Sequence, residues 1–355
     1  MTGGRKVNSV WRKGGVACPV RSAVNGAACW NAVAVREYVP IGTSAPPIMP
    51  TAFITHPSFL LHDMGPYHPE CPERLMAIGD RMIASGVDPY LRHYTAPAAT
   101  QDQISRVHGA AYIREIEAAS PESGLHFIDP DTALNPHSLT AARHASGAVV
   151  MGVDLVMRGE CATAFCAVRP PGHHAERGRA MGFCLFNHVA VGAAHALADH
   201  GLERVAIIDF DVHHGNGTED IFQGDPRVLM VSTFQHPLYP YTGLDDPAPN
   251  MVNVPLSAGA GSDEFRAAVV DRWLPALDEH RPQMIFISAG FDAHREDPLA
   301  GLKFTEADYA WVTQQLVSVA ARHAQRRIVS TLEGGYALSA LGRSVAEHVR
   351  VLVES

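Results

Sequence analysis

The stretch Arg204-Val-Ala-Ile-Ile-Asp209-Phe-Asp211-Val-His213-His-Gly-Asn-Gly217 decides the fold of this chain. Its opening run is apolar and largely β-branched, as expected of a parallel strand buried on both faces. The acidic residues begin where that strand ends. In an open α/β sheet the carboxyl ends of the strands form the ligand crevice. Period-two spacing turns Asp209, Asp211 and His213 to one side of an extended segment, with Phe210 and Val212 on the other. Two carboxylates and an imidazole form a mixed oxygen and nitrogen donor set that a borderline metal such as Zn²⁺ accepts. A solvated strand end is the competing reading of an isolated Asp-x-Asp. Gly215 and Gly217 permit tight backbone turns beside a charged centre and favour the metal site.

From Thr51 onward strands and helices alternate, the pattern of a parallel sheet covered by helices on both faces. Strands are predicted over 51–55, 162–168, 204–210, 227–232, 283–289 and 327–332. Helices are predicted over 73–85, 101–118, 137–158, 187–200, 262–279, 305–323 and 338–353. Asn135-Pro136 marks the start of the third helix, as an N-cap followed by proline at the first position, and Gly159 marks its stop. The proline-rich segment 235–250 reads as an irregular loop that lines a site.

Three further strand ends carry reactive groups. After Thr163-Ala-Phe-Cys-Ala-Val168 comes Arg169-Pro-Pro-Gly-His173-His174, a histidine pair on a loop stiffened by proline. Histidine transfers protons near neutral pH, although such a pair serves equally well as a surface or metal-contacting pair. After Met284-Ile-Phe-Ile-Ser-Ala-Gly290 comes Phe291-Asp292-Ala-His294. His294 and Asp297 compete with Asp292 for a ligand role, but only Asp292 lies at the strand terminus. After Ile328-Val-Ser-Thr-Leu332 comes Glu333-Gly-Gly-Tyr336. Paired glycines let this tyrosine either reach a reacting centre or pack beneath its loop.

At 355 residues and 46% hydrophobic content the chain buries a full core, and one α/β domain suffices. A net charge of -9 without any Lys/Arg cluster argues against direct nucleic-acid binding and suits cationic or neutral substrates. The six cysteines, 18, 29, 71, 161, 166 and 184, form no Cys-x-x-Cys pair, which points to a reducing, cytoplasmic setting without a cysteine zinc site. No apolar run reaches the length of a membrane span. Residues 1–48 hold Arg5, Lys6, Arg12, Lys13, Arg21 and Arg36 against a single acid, Glu37, and lack periodicity. They read as a disordered extension or an upstream start before Met49, leaving 49–355 as the catalytic domain.

Together, Arg-Pro-Pro-Gly-His-His at 169–174, Gly-Phe-Cys at 182–184, the Asp209–Gly217 stretch, Phe-Asp-Ala-His at 291–294 and Leu-Glu-Gly-Gly-Tyr at 332–336 resemble, in order, the motifs of the histone deacetylase family. The family is meant broadly, with the bacterial histone-deacetylase-like amidohydrolases and acetylpolyamine amidohydrolases. Asn216, in place of an acid, and Leu332-Glu333-Gly334 are similar to its class II branch. The resemblance implies the arginase/deacetylase α/β fold, a single mostly parallel sheet with helices on both faces. It also implies one catalytic zinc on Asp211, His213 and Asp292. His174, oriented by Asn216, would be the general base, His173 backed by Asp209 a more cationic partner, and Tyr336 the oxyanion donor.

By the same resemblance Gly182, Phe183 and Tyr239 belong to a narrow channel, with Leu299 at its rim and Asp131 a contact to substrate backbone. Structural potassium ions are implied at Asp209, Asp211, His213, Ser232 and Thr233, and at Phe222, Asp225, Val228 and Asn250. The expected activity is zinc-dependent hydrolysis of ε-acyl-lysine in peptides or of related acylated small amines; a homo-oligomer is compatible with it. The alternatives are an acetylpolyamine amidohydrolase, which Leu299 disfavours because family members of that kind often carry an acid there, and a catalytically silent acyl-lysine binder. A two-metal arginase-type hydrolase would need a second acid two residues beyond Asp292, and none is present.

Overall fold

The computed structural model describes residues 49–245 and 247–355, so the expectations for 1–48 lie outside the described residues. In chain order the strands are β1 (Thr51–Thr55), β2 (Leu91–Thr95), the short antiparallel pair β3 (His126–Phe127) and β4 (Ala133–Leu134), β5 (Thr163–Cys166), β6 (Val205–Asp209), β7 (Val228–Gln235), β8 (Met251–Leu256), β9 (Met284–Ala289) and β10 (Ile328–Leu332). All but β3 and β4 join one sheet in the order β2-β1-β5-β10-β9-β6-β7-β8, every neighbouring pair parallel. The helices are α1 (Glu73–Ala84), α2 (Gln101–Ser105), α3 (Ala110–Ala119), α4 (Ser138–Met157), α5 (His188–Ala198), α6 (Asn216–Phe222), α7 (Ser262–Ala268), α8 (Leu274–His280), α9 (Glu306–His323) and α10 (Leu338–Val353).

Alternation along β6 explains why its sequence is apolar throughout. Val205 and Ile207 share a buried cluster with Val149 and Val153 of α4 and Val189 of α5. Ala206 and Ile208 point the other way, into a cluster with Trp273, Tyr309 and Leu316 of α9, and Val345 of α10. Each large aliphatic side chain buried in these layers contributes about 1.5–3 kcal/mol.

The six predicted strands are the six interior ones; both edges were missed. β2 has mostly exposed or half-exposed side chains, and β8 carries Pro255, which an edge strand tolerates because its outer face needs no ladder donor. The predicted helix 101–118 is instead two helices. His108 lies between them, its Nδ1 3.0 Å from the Glu176 carbonyl and its Nε2 accepting from Asn187 N, while Gly109 N donates to Arg177 O. Bonds to a distant loop thus replace the helical ladder. The predicted helix 262–279 is interrupted by a π-helical turn at Val269–Trp273, just before Pro275, which has no N–H to continue an α ladder. Helix α4 begins at Ser138, not at Pro136, yet the Asn135 carboxamide accepts from His137 N, so the expected capping residue does bond the entering chain. Its end matches the expectation: Gly159 adopts φ +67°, and the N–H groups of Gly159 and Glu160 close onto Val156 O and Leu155 O.

Candidate active site

Strands β5, β10, β9 and β6 are neighbours, so the four loops leaving their carboxyl ends converge. The β6 end supplies Asp211 and His213, and the β9 end supplies Asp292; one donor atom from each lies within 4.8 Å of the other two. His213 Nδ1 stands 3.1 Å from Asp211 Oδ1 and 3.2 Å from Asp292 Oδ2. The remaining carboxylate oxygens are fixed by backbone donors, Gly334 N to Asp211 Oδ2 and Val212 N to Asp292 Oδ1. A Cβ on Gly334 would lie 2.0 Å from Asp292 Oδ2, so glycine is required for this close approach of backbone to carboxylates.

Electrostatics single out the same trio. Burial and the charge of Asp211 push Asp292 up to about 7. Burial opposes the charge on His213, yet the adjoining carboxylates of Asp211 and Asp292 push it up to about 10. Asp292 Oδ2 is buried and outside hydrogen-bond geometry with any donor. That orphaned oxygen, beside a second carboxylate and a ring nitrogen, fits a divalent cation, whose charge would satisfy all three at once.

The loop after β5 places His173 and His174 against this trio. His173 Nδ1 lies 2.9 Å from Asp209 Oδ2; burial disfavours its charge, but Asp211 and Asp209 raise its pKa well above the ordinary histidine value. His174 is driven the other way by burial and by the charges of His173 and His213. Its Nδ1 lies 2.8 Å from Asn216 Oδ1, and Asn216 Nδ2 donates to Glu176 Oε1 at 2.8 Å. The Glu176 carboxylate accepts only, so it fixes the amide orientation. His174 therefore carries its proton on Nδ1 and presents Nε2 as a free acceptor.

Above the trio opens a cavity of about 230 Å³. Asp131, Gly182, Phe183, Tyr239 and Leu299, all expected, line it with His174, His213 and Tyr336; Leu238, from the proline-rich loop, adds an apolar wall. Tyr336 stands edge-on to Phe183 at 6.0 Å, and burial, with the charge of Asp292, holds its hydroxyl protonated.

The residues that hold Tyr336 were not foreseen. Asp297 Oδ2 accepts from Tyr336 N at 2.7 Å and Ala337 N at 3.2 Å, which is its function in place of metal ligation. Arg74, wholly buried, donates to Gly335 O and lies with its guanidinium carbon 5.0 Å from the tyrosine ring centroid. Arg74 in turn shares Glu70 with Arg169. Glu333 accepts from Gly172 N and His173 N, tying the β10 loop to the β5 loop. The Glu70/Arg74 spacing of four is a visible signal for a helical ion pair, and Arg169 stands in the histidine-pair motif, but nothing local joins them.

Of the two expected potassium sets, the first has Asp209, Asp211 and His213 at the end of β6 and Ser232 and Thr233 within neighbouring β7, with Asp209 in register with Ser232 and Thr233 Oγ1 buried without a partner. The second set is organised by a side-chain amide. The carbonyls of Phe222, Asp225 and Val228 converge on the Asn250 side-chain nitrogen at 2.8, 3.1 and 2.9 Å, while Asn250 Oδ1 accepts from Gly224 N. The Asn250 amide thus binds the three carbonyls together.

Residues 68–352 match the histone deacetylase domain. The chain belongs to the histone deacetylase family. The histone deacetylase-like amidohydrolase of Pseudomonas aeruginosa is 38% identical over 276 residues, covering 76% of this chain and 72% of that protein. The polyamine deacetylase HDAC10 of Mus musculus is 35% identical over 332 residues, covering 86% of this chain and 48% of its own length. Among solved structures, the HDA15 HD domain superposes with a TM-score of 0.80 at 35% identity, over 86% of this chain and 90% of that one. Membership of the histone deacetylase family makes this a deacetylase or amidohydrolase type of enzyme, and the matched stretch contains every residue of the centre and channel described above.

Proposed function

We propose that this histone deacetylase family member is a zinc-dependent deacylase that hydrolyses the amide of ε-acetyl-lysine or a related acylated amine. The observation that carries this reading is the convergence of Asp211, His213 and Asp292 beneath a narrow, largely apolar channel with His174 Nε2 and Tyr336 beside it. Zinc held by those three side chains would polarise the substrate carbonyl and lower the pKa of a neighbouring water. Phe183, Leu238 and Tyr239 would hold an uncharged aliphatic stem. His174 would take a proton from the attacking water on Nε2 and return it to the leaving amine. His173, charged through Asp209, would favour the developing negative charge. Tyr336 would donate its hydroxyl to the oxyanion, a contribution of about 3 kcal/mol. Asp131 at the cavity mouth would accept from a peptide N–H, and a structural potassium would sit among Asp209, Asp211, His213, Ser232 and Thr233. Residues 49–355 would form the whole catalytic domain.

Acylated polyamines are the second reading, favoured by the carboxylate of Asp131 at the mouth and opposed by the apolar rim at Leu299. Comparing kcat/KM on acetyl-lysine peptides, acetylated polyamines and longer acyl-lysines tests both. The first reading expects peptides to be turned over best; a preference for acetylpolyamines would replace it with the second, and turnover of neither class would refute both.

A further inference from the structure

A second group of metal-ligating side chains lies at the opposite ends of the strands. Helix α4 delivers the chain to β5 and α5 delivers it to β6, so the last turns of both helices lie beside the strands' amino ends, away from the channel. Asp154 is in the last turn of α4, His195 in the last turn of α5, and His200 just beyond it. Nε2 of His195 and Nε2 of His200 approach the same oxygen, Asp154 Oδ1, at 2.9 and 2.7 Å. The other nitrogen of His195, Nδ1, lies 2.8 Å from Asp199 Oδ2. Arg106 holds Asp199 through both carboxylate oxygens, at 2.9 and 3.2 Å.

We propose that Asp154, His195 and His200 form a second metal site, for Zn²⁺ or a similar borderline divalent ion, that ties α4 to the turn between α5 and β6. The donor set of two imidazole nitrogens and one carboxylate oxygen is of the kind such ions prefer. All three donor atoms lie within 4.8 Å of one another. In a tetrahedral zinc centre donor atoms stand about 3.3 Å apart, given bonds of about 2.0–2.1 Å. Widening the present contacts by about half an ångström would admit the ion.

The neighbouring side chains fix the aim of both rings. His195 Nδ1 faces Asp199 and Arg106 Nη1, the latter at 3.3 Å, so its Nε2 is turned toward Asp154 Oδ1, the oxygen that His200 Nε2 also meets. Two ring nitrogens aimed at one carboxylate oxygen make a set that one metal ion can enter by replacing the bridging protons. The carboxylate behind His195 is the usual outer partner of a metal-bound histidine, fixing its tautomer and its aim. Two cations stand nearby, and each is already engaged: Arg106 with Asp199, and Arg158, 3.9 Å from Asp154 Oδ2, with Glu160 at 2.6 Å. Side chains of Asp154 and His200 are 33% and 22% exposed, which leaves solvent access and room for a water ligand.

The test is a zinc titration of metal-free protein, with bound metal counted after dialysis and melting temperature followed in parallel. His200→Gln is the variant: Gln keeps a donor to Asp154 but ligates zinc poorly, and the site is partly exposed, so folding should survive. Wild type is expected to hold one more equivalent than His200→Gln, whatever the total. Zinc should raise the wild-type melting temperature further than that of the variant. Cobalt should give the absorption of a tetrahedral ion at a second site in wild type alone. Equal stoichiometry and equal zinc-induced stabilisation would overturn the proposal and leave the cluster as a hydrogen-bonded network. Should His200→Gln melt much lower without metal, Asp154→Asn provides the same count by removing the other kind of ligand.

Discussion

The two histidine–carboxylate clusters, one at the carboxyl and one at the amino ends of the strands, use the same donor types in opposite settings. At the strand ends Asp211 and Asp292 are buried and their outer oxygens are held by the backbone N–H groups of Gly334 and Val212. At the helix ends Asp154 and His200 are partly exposed and are held only by other side chains. Rigid backbone donors pre-aim charged groups without further ordering, which suits a centre that must stabilise a transition state. A side-chain cluster between two helices suits a staple. The difference predicts that perturbations at the carboxyl ends of the strands appear in turnover and those elsewhere appear in stability.

The largest effect is expected from Asp292→Asn, which removes a charge from the buried trio. Turnover should fall by roughly 10³-fold or more, with zinc binding at that centre lost; near-normal kcat with zinc absent would break the comparison. Tyr336→Phe keeps the ring and its contact with Phe183, so kcat should fall by about 10²–10³-fold while melting temperature hardly moves. Inhibitor affinity measured alongside would separate an oxyanion donor from a ring that is merely packed.

Asp297→Asn acts through position alone, because one oxygen bonds the N–H groups of Tyr336 and Ala337. A displaced tyrosine should lower kcat by about 10- to 100-fold and leave KM nearly unchanged. A purely structural role would lower the melting temperature without that split.

His348 sharpens the stability side. Its ring is buried with Nδ1 2.7 Å from Thr313 Oγ1 and Nε2 2.9 Å from Ser330 Oγ, and burial lowers its pKa to about 3. The unfolded chain takes up that proton near pH 6.5, whereas the folded chain resists it down to about 3. Stability is therefore lost as pH falls through this window, by up to about 1.4 kcal/mol per pH unit for each such group. His348→Gln should flatten the acid slope of unfolding free energy by that amount, with turnover little affected; an unchanged slope would show that the folded ring accepts the proton. The smallest effect is expected from starting the chain at Met49, which should shift melting by only a few degrees. Collapse of the shortened protein would place residues 1–48 in the fold.

What the sequence revealed follows the same division. Interior strands were legible because both faces of β6 and β9 are buried and leave continuous apolar runs, and residues at their ends inherit a fixed direction from the strand period. Edge strands β2 and β8 lack that run, and the break at His108 depends on tertiary bonds. The resemblance supplied the grouping of distant strand ends, with Asp292 meeting Val212 across 80 residues. Asp154 and His195 stand 41 residues apart on different helices, in no motif, and only packing unites them. Asp297 was visible as an acid near a strand end, but its partners are backbone donors, which no side-chain pattern announces.

The most direct test of metal-dependent amide hydrolysis at the strand ends is zinc reconstitution of His200→Gln, with acetyl-lysine peptide hydrolysis followed as metal is added. Turnover should be negligible in metal-free protein and rise in proportion to zinc bound until one equivalent fills Asp211, His213 and Asp292. Full turnover in protein shown to hold no metal would contradict the account.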